Sequence, residues 1–391
     1  MEELKKIIAD AFSKGVREIE LDNVSIEAEE LEFEISQAVA QMMPRLPRLG
    51  IPTIKEVEPF TFAPPKDEYK MQISEVTIGA TKADGGTRNA AYTIGGETAP
   101  PFYLFEGKWA NKPPIAHDVF DMPIPIPRFL KELFDDTMED PAEWAKLRVK
   151  KFGAKMVTIH LVSTDPNVKD TSIKDAMKVV EDVLQAVKVP IIVGGSGNPE
   201  KDPELLAKAA EVCECERVVL NSVDENMDYK KVAKACIEHN QIPVNLSSMN
   251  PDEMKRLNRN MIKAGVKRDR MIMDLVTGGV GYGIEYSISA MERTRLAGLK
   301  GDEPLAIPIA CAGSNAWGGR EAWMAEDAWG PRELRGHLWE SMTTTTALLC
   351  GTDFFMMLDP IAIKTLENVI DSLFGEAPPS DIKYESWIEM K

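Results

Sequence analysis

Several things are scarce in this 391-residue chain. Its five cysteines (Cys213, Cys215, Cys236, Cys311, Cys350) form an odd, scattered set. The pair Cys213-Glu-Cys215 has neither zinc nor iron–sulfur spacing. With no apolar leader after Met1-Glu2-Glu3-Leu4-Lys5-Lys6, reduced thiols in a cytoplasmic protein are expected. No apolar run approaches the roughly 20 residues of a membrane span, so no membrane partner is expected. Positive charge is short too: 46 Lys and Arg against 63 Asp and Glu leave a net charge of −17. That balance excludes a nucleic-acid partner, because little is left to neutralise a phosphate backbone in bulk.

What is present is the composition of a large soluble globular protein, 44% hydrophobic and 28% charged. Residues 1–66 stand apart as an N-terminal extension. A short amphipathic helix (Leu4, Ile7, Ile8, Phe12) leads into apolar and acidic alternation from Val16 to Ile35, and period two predicts an acidic hairpin turning at Asp22-Asn23. A Pro-rich linker (Pro44, Pro47, Pro52, Pro59, Pro64, Pro65) closes the extension. Residues 67–375 are expected to form one domain, and 376–391 a C-terminal tail. Within that domain a β-hairpin region, 69–110, comes first. Met71 to Thr81 and Ala90 to Ile94 flank the turn signal Asp84-Gly85, and together they can plug the amino end of a barrel.

From Pro113 onward, over 115–375, short apolar runs alternate with amphipathic segments. Strand cores are predicted at Ile115–Phe120, Met156–Leu161, Pro190–Val193, Val218–Leu220, Ile242–Leu246, Met271–Met273, Ala306–Ala310 and Phe354–Leu358. Eight strands in about 245 residues match the count and length of an α/β, (β/α)₈ TIM barrel. Asp140-Pro-Ala-Glu, Asp202-Pro-Glu and Asn250-Pro-Asp-Glu each offer a helix cap, a proline at the first turn and early negative charge. Ile173, Met177, Val180, Leu184 and Val187 make one apolar helix face that should pack outside the sheet.

A barrel builds its site just after its strands. The residues there are Asp121; His160, Thr164 and Asp165; Gly194 to Asn198; Asn221 and Asp224; Asn245, Ser247 and Ser248; Asp274 with Thr277 to Gly283; Gly313 to Asn315; and Asp359. No lysine sits at a strand end, which speaks against a Schiff-base enzyme. His117 and His160 invite a divalent metal, but no third ligand converges with them, and no metal site is expected. The run Gly278-Gly-Val-Gly-Tyr-Gly283 lacks the G-x-G-x-x-G spacing and does not follow the first strand, so no dinucleotide fingerprint is present. A tight turn and a backbone nest both remain open for it. Asn221, Asn245 and Asn315 are amides, suited to hydrogen bonding a polar ring system rather than to acid–base catalysis.

The motifs Gly79-Ala-Thr-Lys-Ala-Asp-Gly-Gly-Thr-Arg88, Thr93-Ile-Gly-Gly-Glu97, Phe105-Glu-Gly107 and Gly278 through Arg295 resemble the small-subunit family of the corrinoid/iron–sulfur protein. In archaea this is the delta subunit of the acetyl-CoA decarbonylase/synthase complex, and the resemblance covers roughly 70–375. It implies a non-catalytic subunit that forms a heterodimer with a large (gamma) subunit carrying the corrinoid and the [4Fe–4S] cluster. The barrel face would then cover the cobalt cofactor during methyl transfer between a tetrahydropterin and the acetyl-CoA site. A tetrahydropterin methyltransferase and the acetyl-CoA synthase/CO dehydrogenase subunits would be further partners. Asn221, Asn245, Asp274, Gly279, Gly281, Ser314 and Asn315 are the expected cofactor-binding residues, with no iron–sulfur cluster in this chain.

A wider resemblance, to pterin-binding barrels, rests on Leu220-Asn221-Ser222, Asp274 and Gly313-Ser314-Asn315-Ala316. It implies an alternative, a methyltransferase acting directly on corrinoid. The third strand end departs from that pattern, with Gly194-Gly-Ser-Gly-Asn198 lacking the expected carboxylate.

Overall fold

The chain divides into two units, Met1–Pro65 and Lys66–Lys391. The computed structural model describes residues 65–134 and 136–375, with Lys6, Asp10 and Lys14. The expected acidic hairpin, the linker up to Pro64 and the tail beyond 375 lie outside the described residues.

Two short strands, β1 (Val76–Ile78) and β2 (Tyr92–Ile94), pair antiparallel. Eight more strands follow: β3 (Ile115–Phe120), β4 (Met156–His160), β5 (Ile191–Gly194), β6 (Val219–Val223), β7 (Ile242–Leu246), β8 (Ile272–Asp274), β9 (Ile309–Ala312) and β10 (Phe354–Met357). Each pairs parallel with the next, and β10 closes on β3. This is the predicted TIM barrel. After a single turn, α1 (Arg128–Lys131), the helices are α2 (Pro141–Phe152), α3 (Ile173–Ala186), α4 (Asp202–Val212), α5 (Tyr229–Glu238), α6 (Pro251–Lys263), α7 (Ile284–Leu299), α8 (Arg332–Leu349) and α9 (Pro360–Leu373).

Three local expectations shift. The first hairpin strand shrinks to Val76–Ile78, because the N–H groups of Met71 and Ser74 bond to Leu299 and Ala306 instead of a partner strand. The seventh barrel strand begins at Ile309 rather than Ala306: Glu303–Leu305 coil into a 3₁₀ turn, and Pro308 has no N–H for the ladder. The fourth runs on to Val223, so Asn221 lies within the strand and not after it.

Helix α2 is capped as its sequence predicts, with Asp140 accepting from the Ala142 and Glu143 N–H groups, and Asn250 accepts in the same way at the start of α6. Asp202 behaves differently. Its carboxylate reaches back to the N–H groups of Ser196 and Gly197, while Asn198 accepts from Glu200 and Lys201.

Inside the barrel, Val76, Ile78 and Ile94 pack against Ala116, Met156, Ile192, Val219, Ile242, Ile272, Ala310 and Phe354. Most of these are the first inward residues of their strands, so the hairpin side chains fill the amino end. Two buried arginines fasten the hairpin region from outside. Arg88 Nε donates to Glu216 at 2.7 Å, and Arg295 bridges Glu97 and Asp353.

Candidate functional site at the barrel mouth

Strand parity decides which side chains meet at the mouth. With Ala116, Met156, Ile192, Val219, Ile242, Val244, Ile272 and Ala310 inward, the inward series continues to Asp118, Thr158, His160, Gly194, Asn221 and Asp274. His117 and Asn245 have the opposite parity. His117 is buried in the wall, and burial, with Arg148 nearby, lowers its pKa well below the usual imidazole value. His117 and His160 therefore face opposite sides of the wall and cannot share a metal. Asn245, expected at the rim, instead points into the helix layer, where its amide donates to Asn258 Oδ1 at 2.7 Å.

Asp274, Gly279, Gly281, Ser314 and Asn315 gather at the end of β8 and on the two adjacent loops after β8 and β9, while Asn221 faces the mouth from β6, with β7 between. Asp274 ends β8, buried, with Oδ1 accepting from Val276 N–H at 2.7 Å. Desolvation by burial pushes its carboxyl up to about 7. Asn315 Nδ2 donates to Thr277 O at 3.2 Å, tying the loop after β9 to the loop after β8. A Cβ on Gly279 would come within 2.9 Å of Ala316 Cα, so the two loops touch backbone to backbone. Gly279 is buried; Gly281 and Asn315 are exposed, and Ser314 is half-buried.

The glycine run hydrogen-bonds partly within the fold. Gly278 N–H donates to Ser287 Oγ, Val280 N–H to Thr343 Oγ1, and Tyr282 N–H to Gly279 O. Three of the run's six N–H groups are thus taken up inside the fold, as a tight β-to-α turn requires. The turn presents Tyr282 and Tyr286, 64% and 65% exposed, at the start of α7.

Rim carboxylates are mostly tied up locally. Asp121 accepts from Ser163 N and Oγ, and Asp359 caps α9 while meeting His337 Nδ1 at 2.6 Å. Deeper in, Asp118 is sealed from solvent. His160 Nε2 stands 3.1 Å from its Oδ1 but is misaligned for a hydrogen bond, and neither Asp118 oxygen has an aligned donor. Thr158 Oγ1 and Asn221 Oδ1 are likewise buried without partners. Sequence reasoning missed Asp118, because the run Ile-Ala-His-Asp-Val-Phe is apolar on both sides of its polar pair and does not declare which member faces inward. It also missed an 840 Å³ groove between the loop after β3 (Pro125, Pro127, Phe129) and the loop after β9 (Trp317, Trp323). Trp317 Nε1 donates to the buried Glu340 at 2.7 Å and fixes the groove floor. Tryptophans three and nine residues beyond Ser314 were the available signal.

Residues 75–337 match the family model described as CO dehydrogenase/acetyl-CoA synthase delta subunit. The chain belongs to that family. It is 44% identical to the acetyl-CoA decarbonylase/synthase complex subunit delta of Methanocaldococcus jannaschii over 95% of this chain and 94% of that one. The corresponding subunit of Methanopyrus kandleri is 45% identical, over 94% and 93% of the two chains. Among solved structures, a dihydropteroate synthase from Thermus thermophilus is similar with a TM-score of 0.47 and 16% identity, over 76% of this chain and 99% of that one. As a member of the delta-subunit family, the chain is a component of a multi-subunit complex. Among the described residues, no helix is long and apolar enough to cross a membrane.

Proposed function

We propose that this delta-family chain forms a heterodimer with a large subunit carrying corrinoid and a [4Fe–4S] cluster, and that its barrel mouth covers the cobalt cofactor during methyl transfer. The observation that carries this reading is the unpartnered acceptor Asn221 Oδ1 at the mouth, together with the exposed Asn315 and half-buried Ser314. A corrin edge bears primary amides, which need hydrogen-bond partners rather than charges, and this donor and acceptor set fits them. The bound cobalt would supply the atom that takes up and releases methyl, between a tetrahydropterin and the acetyl-CoA site.

In this reading the chain is itself non-catalytic. Asn221 accepts from a corrin amide, Asn315 offers its remaining amide oxygen, and Tyr282 and Tyr286 lay aromatic surface beside the cofactor and exclude water. The iron–sulfur cluster is assigned to the partner, because Cys213, Cys236 and Cys311 lie buried on separate elements with thiols made less acidic by burial. The pair would exchange methyl with a tetrahydropterin methyltransferase and the acetyl-CoA synthase/CO dehydrogenase subunits, in the cytoplasm.

Co-purification with the corrinoid-carrying subunit tests this. Corrinoid should be retained by the pair and not by this chain alone, and Asn221→Ala with Asn315→Ala should weaken retention about thirtyfold, the worth of two lost hydrogen bonds at about 1 kcal/mol each. Tight stoichiometric pterin binding by the isolated chain would overturn it.

A second reading makes the chain a methyltransferase from tetrahydropterin to corrinoid, using Asn315, Asn221 and Asp274. One observation favours it: a buried carboxyl at the mouth that holds its proton to about pH 7. It requires methylation of free cob(I)alamin by the isolated chain, abolished in Asn315→Ala.

A further inference from the structure

Away from the mouth, the charge distribution singles out one flank. Between Tyr229 and Arg270 the sequence is rich in Lys and Arg, in a chain whose net charge is −17. Folding places this segment on α5, α6 and the turn before β8. Lys231, Lys255, Arg256 and Arg268 are engaged by Glu204, Asp302, Glu225 and Glu303. Lys230, Arg259, Lys263 and Lys267 are exposed and stand outside those pairs.

Two grooves follow the same flank. One of 530 Å³ is lined by Lys230, Lys234 and Lys263 with one carboxylate, Glu238, whose Oε1 lies 3.7 Å from Lys234 Nζ, and one of 260 Å³ by Lys267 and Arg270. They share Ile237, an apolar side chain 49% exposed. Helix α5 leads from the mouth toward the start of β7, and Arg270 precedes β8, so the basic flank extends to the amino end of the barrel. A partner seated there leaves the mouth open.

We propose that this flank docks an acidic helix of a neighbouring protein subunit in the complex. Complementary charge at contact distance outweighs the chain's overall negative field, because that field is screened beyond about 10 Å at ordinary ionic strength. A long polyanion such as DNA would span the negative remainder of the surface and be repelled. A helix carrying carboxylates three and four residues apart, with one apolar side chain among them, can meet the lysines from both groove walls and cover Ile237. The inference needs only that the chain is a complex subunit; it does not rest on the corrinoid reading.

The test uses the full chain and the other purified subunits of the complex, with association followed by sedimentation velocity from about 50 to about 500 mM salt, a range set by screening. Lys230→Glu, Lys234→Glu, Lys263→Glu and Lys267→Glu combined should raise the apparent Kd at least about tenfold at low salt and flatten its salt dependence. Carbodiimide should link Lys234, Lys263 or Lys267 to carboxylates of a neighbouring subunit. If the fourfold reversal does not fold, Lys263→Ala with Lys267→Ala should show the same change at smaller size. Unchanged assembly by a folded variant, with no such cross-links, overturns the proposal. So does binding of duplex DNA or phosphatidylserine vesicles that the variant loses while assembly stays intact.

Discussion

Arg295 Nη1 lies 3.2 Å from Glu97 Oε2, with both side chains sealed from solvent, and the same guanidinium engages Asp353. The contact joins α7 to the segment just after β2, so the last residue of the long glycine-to-arginine motif is an anchor for the hairpin region. Burial holds the Glu97 carboxyl well above its ordinary range, and the neighbouring Asp353 charge adds to this. Removing the arginine leaves the buried Asp353 without its cation and the Glu97 carboxyl without its donor. Arg295→Met should therefore cost about 3–5 kcal/mol in urea unfolding, whereas Arg295→Met with Glu97→Gln and Asp353→Asn should recover most of that loss. Equal stability of the single and triple variants would contradict this account.

Asp274 gives a pH signature. Its folded carboxyl is raised to about 7 by desolvation, far above the ordinary value of 3.8. Between these values the folded chain binds more protons than the unfolded one, so stability is fully present below about pH 4 and falls as pH rises to about 7. The loss amounts to about 4 kcal/mol at most, from about three pH units at about 1.36 kcal/mol each. Asp274→Asn should flatten the stability profile over that window, and a variant with an unchanged slope would place the titration elsewhere.

The glycine run makes separate demands at separate positions. A Cβ at Gly278 would lie 2.6 Å from the Gly283 backbone and one at Gly279 2.9 Å from Ala316, whereas Gly281 has open space but φ of +68°. Gly278→Ala and Gly279→Ala should each cost about 1–3 kcal/mol through forced backbone shifts. Gly281→Ala should cost about 1–2 kcal/mol from its left-handed backbone alone. Only the first two should also loosen the mouth, read as faster amide exchange at Asn315 and Ala316.

Periodicity carried the barrel well, because continuous apolar runs between capped helices leave few arrangements other than a closed parallel sheet. It carried the site less well. Asp274 and Asn315 follow apolar runs whose direction is plain, and the fold brings their two loops together. Strand parity, by contrast, is invisible where both faces of a strand are buried: Asn245 and Asn221 read alike in sequence, yet one faces helices and the other the mouth. The roles of Arg88 and Arg295 were hidden for another reason, since their partners Glu216 and Asp353 are distant in the chain.

That parity can be tested directly. Asn245 Nδ2 donates to Asn258 Oδ1, and Asn258 in turn donates to Pro304 O, a buried chain that links β7, α6 and the turn before β9. Asn245→Ala strands the Asn258 carbonyl oxygen away from water, only partly offset by removal of Asn245's own unpartnered Oδ1, and should cost about 1–2 kcal/mol of stability. It should leave retention of corrinoid by the heterodimer unchanged. Asn221→Ala has the reverse expectation: its Oδ1 has no internal partner to lose, so stability should hold or rise slightly while corrinoid retention weakens. Paired urea unfolding and corrinoid retention on the two variants would separate a helix-facing asparagine from a mouth-facing one. A swap of the two outcomes would mean that the mouth is lined by the opposite faces of β6 and β7.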